Sequence, residues 1–134
     1  RTYPFDPATI TVRPSPSLSV AAYDFRGLRF FRIDAYGSER LDVLDDALRR
    51  GCCVLFGGPV SAAYQRNEGD VVGSMGTSIG GHMQALVRGG DKPLVLNSWG
   101  VLWGDRGYAH WTRDLLAHYP ATDIYAVTQV PHEP

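Results

Sequence analysis

Apolar residues alternate with other side chains at Met83, Ala85 and Val87, and again at Leu94 and Leu96, on either side of Arg88-Gly89-Gly90-Asp91. Period-two alternation flanking a Gly-Gly pair predicts two antiparallel strands and a tight hairpin, because glycine supplies the positive φ angles that two-residue loops demand. A loop made of Gly89 and Gly90 sets Arg88 against Asp91, and counting outward sets His82 directly opposite Asn97. Directly opposed residues share a face, with Cβ atoms about 4.5–5.5 Å apart. A one-residue slip would send the two side chains to opposite faces.

The remaining pattern is that of a β-rich domain. Residues 6–18 hold Pro7, Pro14 and Pro16 without periodicity and read as an extended crossing segment. Residues 21–33 read as one or two strands. Ser38 is the expected cap of a helix running to about Arg50. Leu41, Leu44 and Leu48 form its apolar stripe, Arg49 and Arg50 fall in its last turn, and Gly51 lies just beyond. Cys52-Cys53-Val54-Leu55-Phe56 reads as a buried strand, residues 60–65 as a short helix and residues 68–78 as a Gly-rich loop. Residues 112–118 read as a helical turn and residues 123–130 as a closing strand. Neither repeat nor linker divides the chain. The expectation is one α+β domain: residues 1–20 cross as an extended segment, and residues 21–134 build an antiparallel, barrel-like sheet with one or two short helices.

An imidazole held at one nitrogen by a neutral amide has its tautomer and ring orientation fixed, and offers its other nitrogen to a partner. Beside a cysteine such an imidazole draws off the thiol proton, and the pair rests largely as thiolate and imidazolium, with thiol pKa values near 3–4 documented. The thiolate attacks a carbonyl, the imidazolium protonates the leaving group, and the neutral imidazole then activates water. His82 and Asn97 are therefore the candidate catalytic residues. An isolated strand histidine is more often a core residue; the opposed amide and the Trp-Gly run that follows shift the balance to an active-site role.

Gly81-His82, Asn97-Ser98-Trp99-Gly100, Trp103-Gly104 and Gly107-Tyr108 together resemble the C-terminal domain of the papain-like cysteine proteases. The resemblance is strong over residues 78–111 and weak elsewhere, apart from Tyr3-Pro4-Phe5, which is similar to an element following the first domain of those enzymes. It implies that His82 is the general acid/base, Asn97 its orienter and Trp99 a lid over their contact, with Gly81 and Ser98 supporting the site. It also implies that Met83 lies on the wall of the pocket for the second residue before the scissile bond. The cysteine and its oxyanion-hole glutamine match no residue of this chain, so the resemblance places them on an N-terminal chain or segment of the same protein, with this chain as a light chain after processing. The substrate implied is a peptide or protein, and no cofactor is implied. Met83-Gln84 and Arg88-Gly89 depart from the small residues and the Gly-aromatic hairpin usual in the family, which bears on substrate range. The second reading is a catalytically inactive papain-like domain serving as a binding or structural module.

Cys52 and Cys53 are the only thiols and read as inert strand residues. Their spacing matches no zinc site. His110, His118 and His132 share no spacing and read as surface residues. At 134 residues, 44% hydrophobic and 20% charged, the chain has the make-up of one globular domain. Its net charge of −1 and lack of a basic stripe argue against a nucleic-acid partner. No apolar run approaches the ~18 residues a spanning helix needs. Arginine supplies all the basic residues except Lys92, the bias of a GC-rich, bacterial or phage genome. The first residue is not methionine, so the N-terminus is expected to be processed or cut, and localisation stays open between cytoplasm and secretion.

Overall fold

The computed structural model describes residues 13, 15–17, 22, 27–67 and 71–129. Most of the expected crossing segment, Tyr3-Pro4-Phe5 and His132 lie outside them. The strands are β1 (Leu28–Arg32), β2 (Cys53–Ser61), β3 (Val71–Val72), β4 (Ser78–Arg88), β5 (Leu94–Leu96), β6 (Tyr108–Trp111) and β7 (Asp123–Gln129). The helices with both ends among the described residues are α1 (Gly37–Arg49), α2 (Ala62–Gln65) and α3 (Arg113–His118); Pro16, Ser17 and Ala22 are also helical. The strands form one seven-stranded sheet in the order β1-β7-β2-β4-β5-β6-β3. All pairings are antiparallel except β3 with β6. The fold class is α+β as expected, but the sheet is open rather than barrel-like. Among the described residues β1 pairs only with β7 and β3 only with β6, so the two ends of the sheet do not meet.

Val54 and Phe56 of β2, Leu86 of β4, Val95 of β5 and Trp111 of β6 are buried against Leu44 of α1, Leu116 of α3 and Tyr119. Each such side chain contributes roughly 1.5–3 kcal/mol by leaving water. Helix α1 starts at Gly37, two residues earlier than a Ser38 cap would set it, with Tyr36 as an N-cap that makes no side-chain bond. A tertiary anchor outweighs the Ser38 cap. Arg40 is buried in the first turn and donates to the carbonyls of Ala35, Leu116 and Tyr119, which ties α1 to the end of α3. The stripe through Leu41 and Leu44 is buried as the pattern indicated, and Gly51 closes the helix at a φ of 78°.

Strand β2 runs on through Val60 to Ser61, so the short helix begins at Ala62; the Ser61 hydroxyl caps it by accepting from Tyr64 N at 3.1 Å. Thr112 caps α3 in the same way, accepting from Leu115 N at 3.2 Å. The expected loop over 68–78 contains β3, and β6 was not visible in the apolar pattern at all. Gly58 has no room for a side chain, since a Cβ there would lie 2.6 Å from the Tyr119 ring. That close approach lets the Tyr119 hydroxyl donate to Pro59 O at 2.7 Å, holding the strand that faces His82.

Candidate active site

Strand β4 pairs with β5 as Leu86↔Val95 and Ala85↔Leu96, and continuing this register brings Asn97 level with Gln84 rather than His82. The cause is the connection. Residues Gly89 to Pro93 form a five-residue loop, and a bulge lies between Leu86 and Arg88. Asp45 of α1 holds the loop by accepting from Gly90 N at 3.0 Å, and Arg113 of α3 donates to Gly90 O at 2.7 Å. The offset is two residues, so parity is kept and both side chains remain on one face. His82 Nε2 accordingly lies 2.7 Å from Asn97 Oδ1.

Asn97 is only 6% exposed. Its Oδ1 also accepts from Ser98 N at 2.7 Å, and a backbone N–H can meet only the oxygen of an amide, so the amide orientation is set. His82 must then donate from Nε2. Nδ1 is the nitrogen left available, with no bond to any group among the described residues. Trp99 lies flat on the imidazole, ring centroids 4.3 Å apart and planes 19° from parallel. The Tyr64 and Trp103 rings meet Trp99 edge-on. Trp103 is buried and donates from its indole to Tyr64 O at 3.0 Å. Gly100, Gly104 and Gly107 all have positive φ, the turn role their positions suggested.

A cleft of about 460 Å³ opens beside the histidine, lined by Gly57, Gly58, Pro59, Gly80, Gly81 and His82 together with Met83. Met83 is 48% exposed there. Ser98 contributes its backbone N–H, while its side chain is exposed. The structure thus brings together His82, Asn97, Trp99 and Ser98, with Gly81 and Met83 on the adjoining wall.

Two neighbours of the pair had no sequence signal of their own. Tyr64 and Gln84 are buried, and Gln84 lies level with Asn97 in the β4–β5 register. The Tyr64 hydroxyl donates to Gln84 Oε1 and accepts from Trp111 Nε1 at 3.3 Å. Burial pushes the Tyr64 phenol well above its usual pKa, and donation from Trp111 and Asn97 partly offsets this. The alternation that suggested β4 is also turned over. Met83 and Val87 are exposed while Gln84 and Leu86 are buried, so the polar glutamine occupies the inward face.

Cys53 is exposed and Cys52 half-buried, which corrects the expectation of a buried pair: Val54 and Phe56 take the inward positions and alternation turns Cys53 out. Cys53 pairs with Val127, whereas Gly58 is the β2 residue opposite His82. Five residues of strand separate the thiol from the histidine, about 17 Å. His110 is half-buried with an unbonded Nδ1 rather than a surface residue, and His118 is exposed beside Asp114.

No family model matches the chain. The chain is 35% identical, over an alignment of 74 residues, to cathepsin B-like cysteine proteinase 5 of Caenorhabditis elegans, covering 46% of this chain and 22% of that protein. Among solved structures it is similar to the Carica candamarcensis cysteine protease CMS1MS2, determined in complex with E-64, with a TM-score of 0.58 and 25% identity over 76% of this chain and 49% of that one. This is a papain-like C-terminal domain. The papain-like fold is shared with xylellain, a cysteine protease from Xylella fastidiosa, at a TM-score of 0.62 and 21% identity over 77% of this chain and 40% of that one. The papain-like domain spans two fifths to one half of the length of these solved proteases and about a fifth of the curated relative.

Proposed function

We propose that this chain is the histidine wall of a cysteine protease, supplying His82 as general acid/base and Asn97 as its orienter to a thiolate carried on an N-terminal chain or segment of the same protein. The observation that carries this reading is the 2.7 Å contact between His82 Nε2 and Asn97 Oδ1 beneath the stacked Trp99 ring, at the edge of an open cleft. Because Asn97 only accepts at Oδ1, the Nε2–H bond persists whether the ring is neutral or charged. Nδ1 can therefore gain and lose a proton while the ring stays in place.

In the resting pair the thiol proton sits on Nδ1. The thiolate adds to the peptide carbonyl, Nδ1–H protonates the departing amine, and an acyl-thioester remains. Neutral Nδ1 then takes a proton from water, whose oxygen attacks the thioester, and the thiolate leaves. Trp99 keeps bulk water from the imidazole–amide bond, which raises its strength. Met83, exposed on the cleft wall, favours an apolar side chain at the second position before the cleaved bond; a peptide-library profile with no such preference removes this specificity assignment.

Ile79, Val101 and Leu102 stand exposed at 59%, 73% and 96%, which supports a covering partner, as light chain to a processed heavy chain or as one half of a continuous protein. The test is treatment of the intact protein with a peptide-mimicking, irreversible thiol inhibitor, followed by mapping of the label by mass spectrometry. Label on a cysteine N-terminal to this chain is expected. An N-terminal segment that takes no label would support instead an inactive module, and label on Cys52 or Cys53 would overturn the division of roles.

A further inference from the structure

Hydrogen-bond direction behind the dyad carries information that the dyad alone does not. An indole N–H can only donate, so Trp111 obliges the Tyr64 oxygen to accept. Tyr64 has one proton, and it is given to Gln84 Oε1. What remains on the Tyr64 oxygen is a lone pair, able to receive a donor and unable to supply one. The Asn97 Nδ2 group is buried and makes no hydrogen bond of standard geometry to Tyr64 or to any other described residue. Asn97 also favours the ionised Tyr64 phenol, the influence expected of an N–H directed at its oxygen. With Oδ1 held by His82 and Ser98 N, the amide turns its buried nitrogen to the side of Gln84, which lies level with Asn97 across β4 and β5, and of the Tyr64 hydroxyl bonded to it.

We propose that Tyr64 and Gln84 are positioning residues that set the polarity of the Asn97 amide and, through it, the tautomer of His82. If Gln84 did not take the Tyr64 proton, that proton would be free to turn toward Asn97 and favour the amide with its oxygen reversed. A reversed amide would donate to His82 Nε2, move the imidazole proton to Nδ1, and leave the wrong nitrogen as base. The Ser98 N–H opposes reversal from the exposed side; Tyr64 and Gln84 oppose it from the buried side. The catalytic consequence rests on the acid/base reading of His82, whereas the tautomer does not.

The experiment is nitrogen-15 NMR of the His82 ring in the intact protein above the imidazole pKa, with peptidase kinetics alongside. Native protein is expected to hold the Nε2–H tautomer. Tyr64→Phe keeps the ring among Trp99, Trp103 and Trp111 but removes the hydroxyl. Gln84→Met removes the acceptor at nearly constant volume. Each is expected to mix in the Nδ1–H form and to lower kcat about 10-fold with KM unchanged, while Gln84→Glu, which keeps an acceptor for Tyr64, retains the native tautomer. Either variant, folded by its amide spectrum and still wholly Nε2–H, would overturn the proposal. A tautomer that responds in a protein with no peptidase activity would leave the relay standing and remove the protease reading instead.

Discussion

At one end of β2, Gly58 lies across from His82, Tyr119 fills the space behind it, and the strand forms one wall of the cleft. At the other end, Cys53 lies across from Val127, exposed and free. The first end holds an imidazole fixed by an amide, capped by an indole and backed by buried polar groups; the second holds the chain's only thiols, with no base hydrogen-bonded to them among the described residues. Reactivity follows from what converges on a group rather than from the group itself, and on that criterion the histidine end is the candidate site and the cysteine end is a strand terminus.

The comparison breaks most sharply at His82. With the intact protein, His82→Ala is expected to lower peptidase kcat/KM by about 10³–10⁴-fold, the scale of losing a triad member, as read by cleavage of a fluorogenic peptide. Asn97→Ala should cost about 100-fold, because the base survives but loses orientation; a loss below about 3-fold would mean that Trp99 stacking alone positions the ring. Gly58→Ala drives a methyl group into the Tyr119 ring, and overpacking of this kind costs about 1–3 kcal/mol, measurable by urea unfolding.

Burial pushes the Tyr119 phenol up from 10.0 to about 12, and Tyr64 is raised as well. The folded state then keeps protons that the unfolded chain releases. Stability from these groups is whole below pH 10 and falls as pH climbs toward 12. Tyr119→Phe should flatten that decline in urea titrations across the same window. The smallest effect is expected at the other end of β2, where Cys53→Ser should leave peptidase activity unchanged and stability within about 0.5 kcal/mol.

The sequence made the pairing of His82 with Asn97 readable because strand parity survives errors of two. The actual connection is a bulge and a five-residue loop rather than a Gly-Gly turn, yet the two side chains still share a face. The α1 stripe was legible for the same reason, since Leu41 and Leu44 recur at helical spacing. What local pattern could not show is decided by tertiary contact. Arg40 shifts the start of α1 by binding carbonyls of α3 and Tyr119. Gln84 is buried because it meets Tyr64 from 20 residues away, leaving Met83 and Val87 outward, and β6 exists only through its pairing with β5 and β3. Neither strand end of the open sheet announces itself in the apolar alternation, so closure into a barrel could not be judged from it.

The most direct measurement is the pH dependence of thiol alkylation by a small neutral reagent in the intact protein, native and His82→Ala. A thiolate–imidazolium pair keeps the reaction going well below pH 6, and its loss should leave His82→Ala with a single rise near the ordinary thiol pKa of about 8.5. That collapse of the acidic limb is the expected result. Superimposable profiles for the two proteins would contradict the assignment of His82 as the partner of a catalytic thiolate.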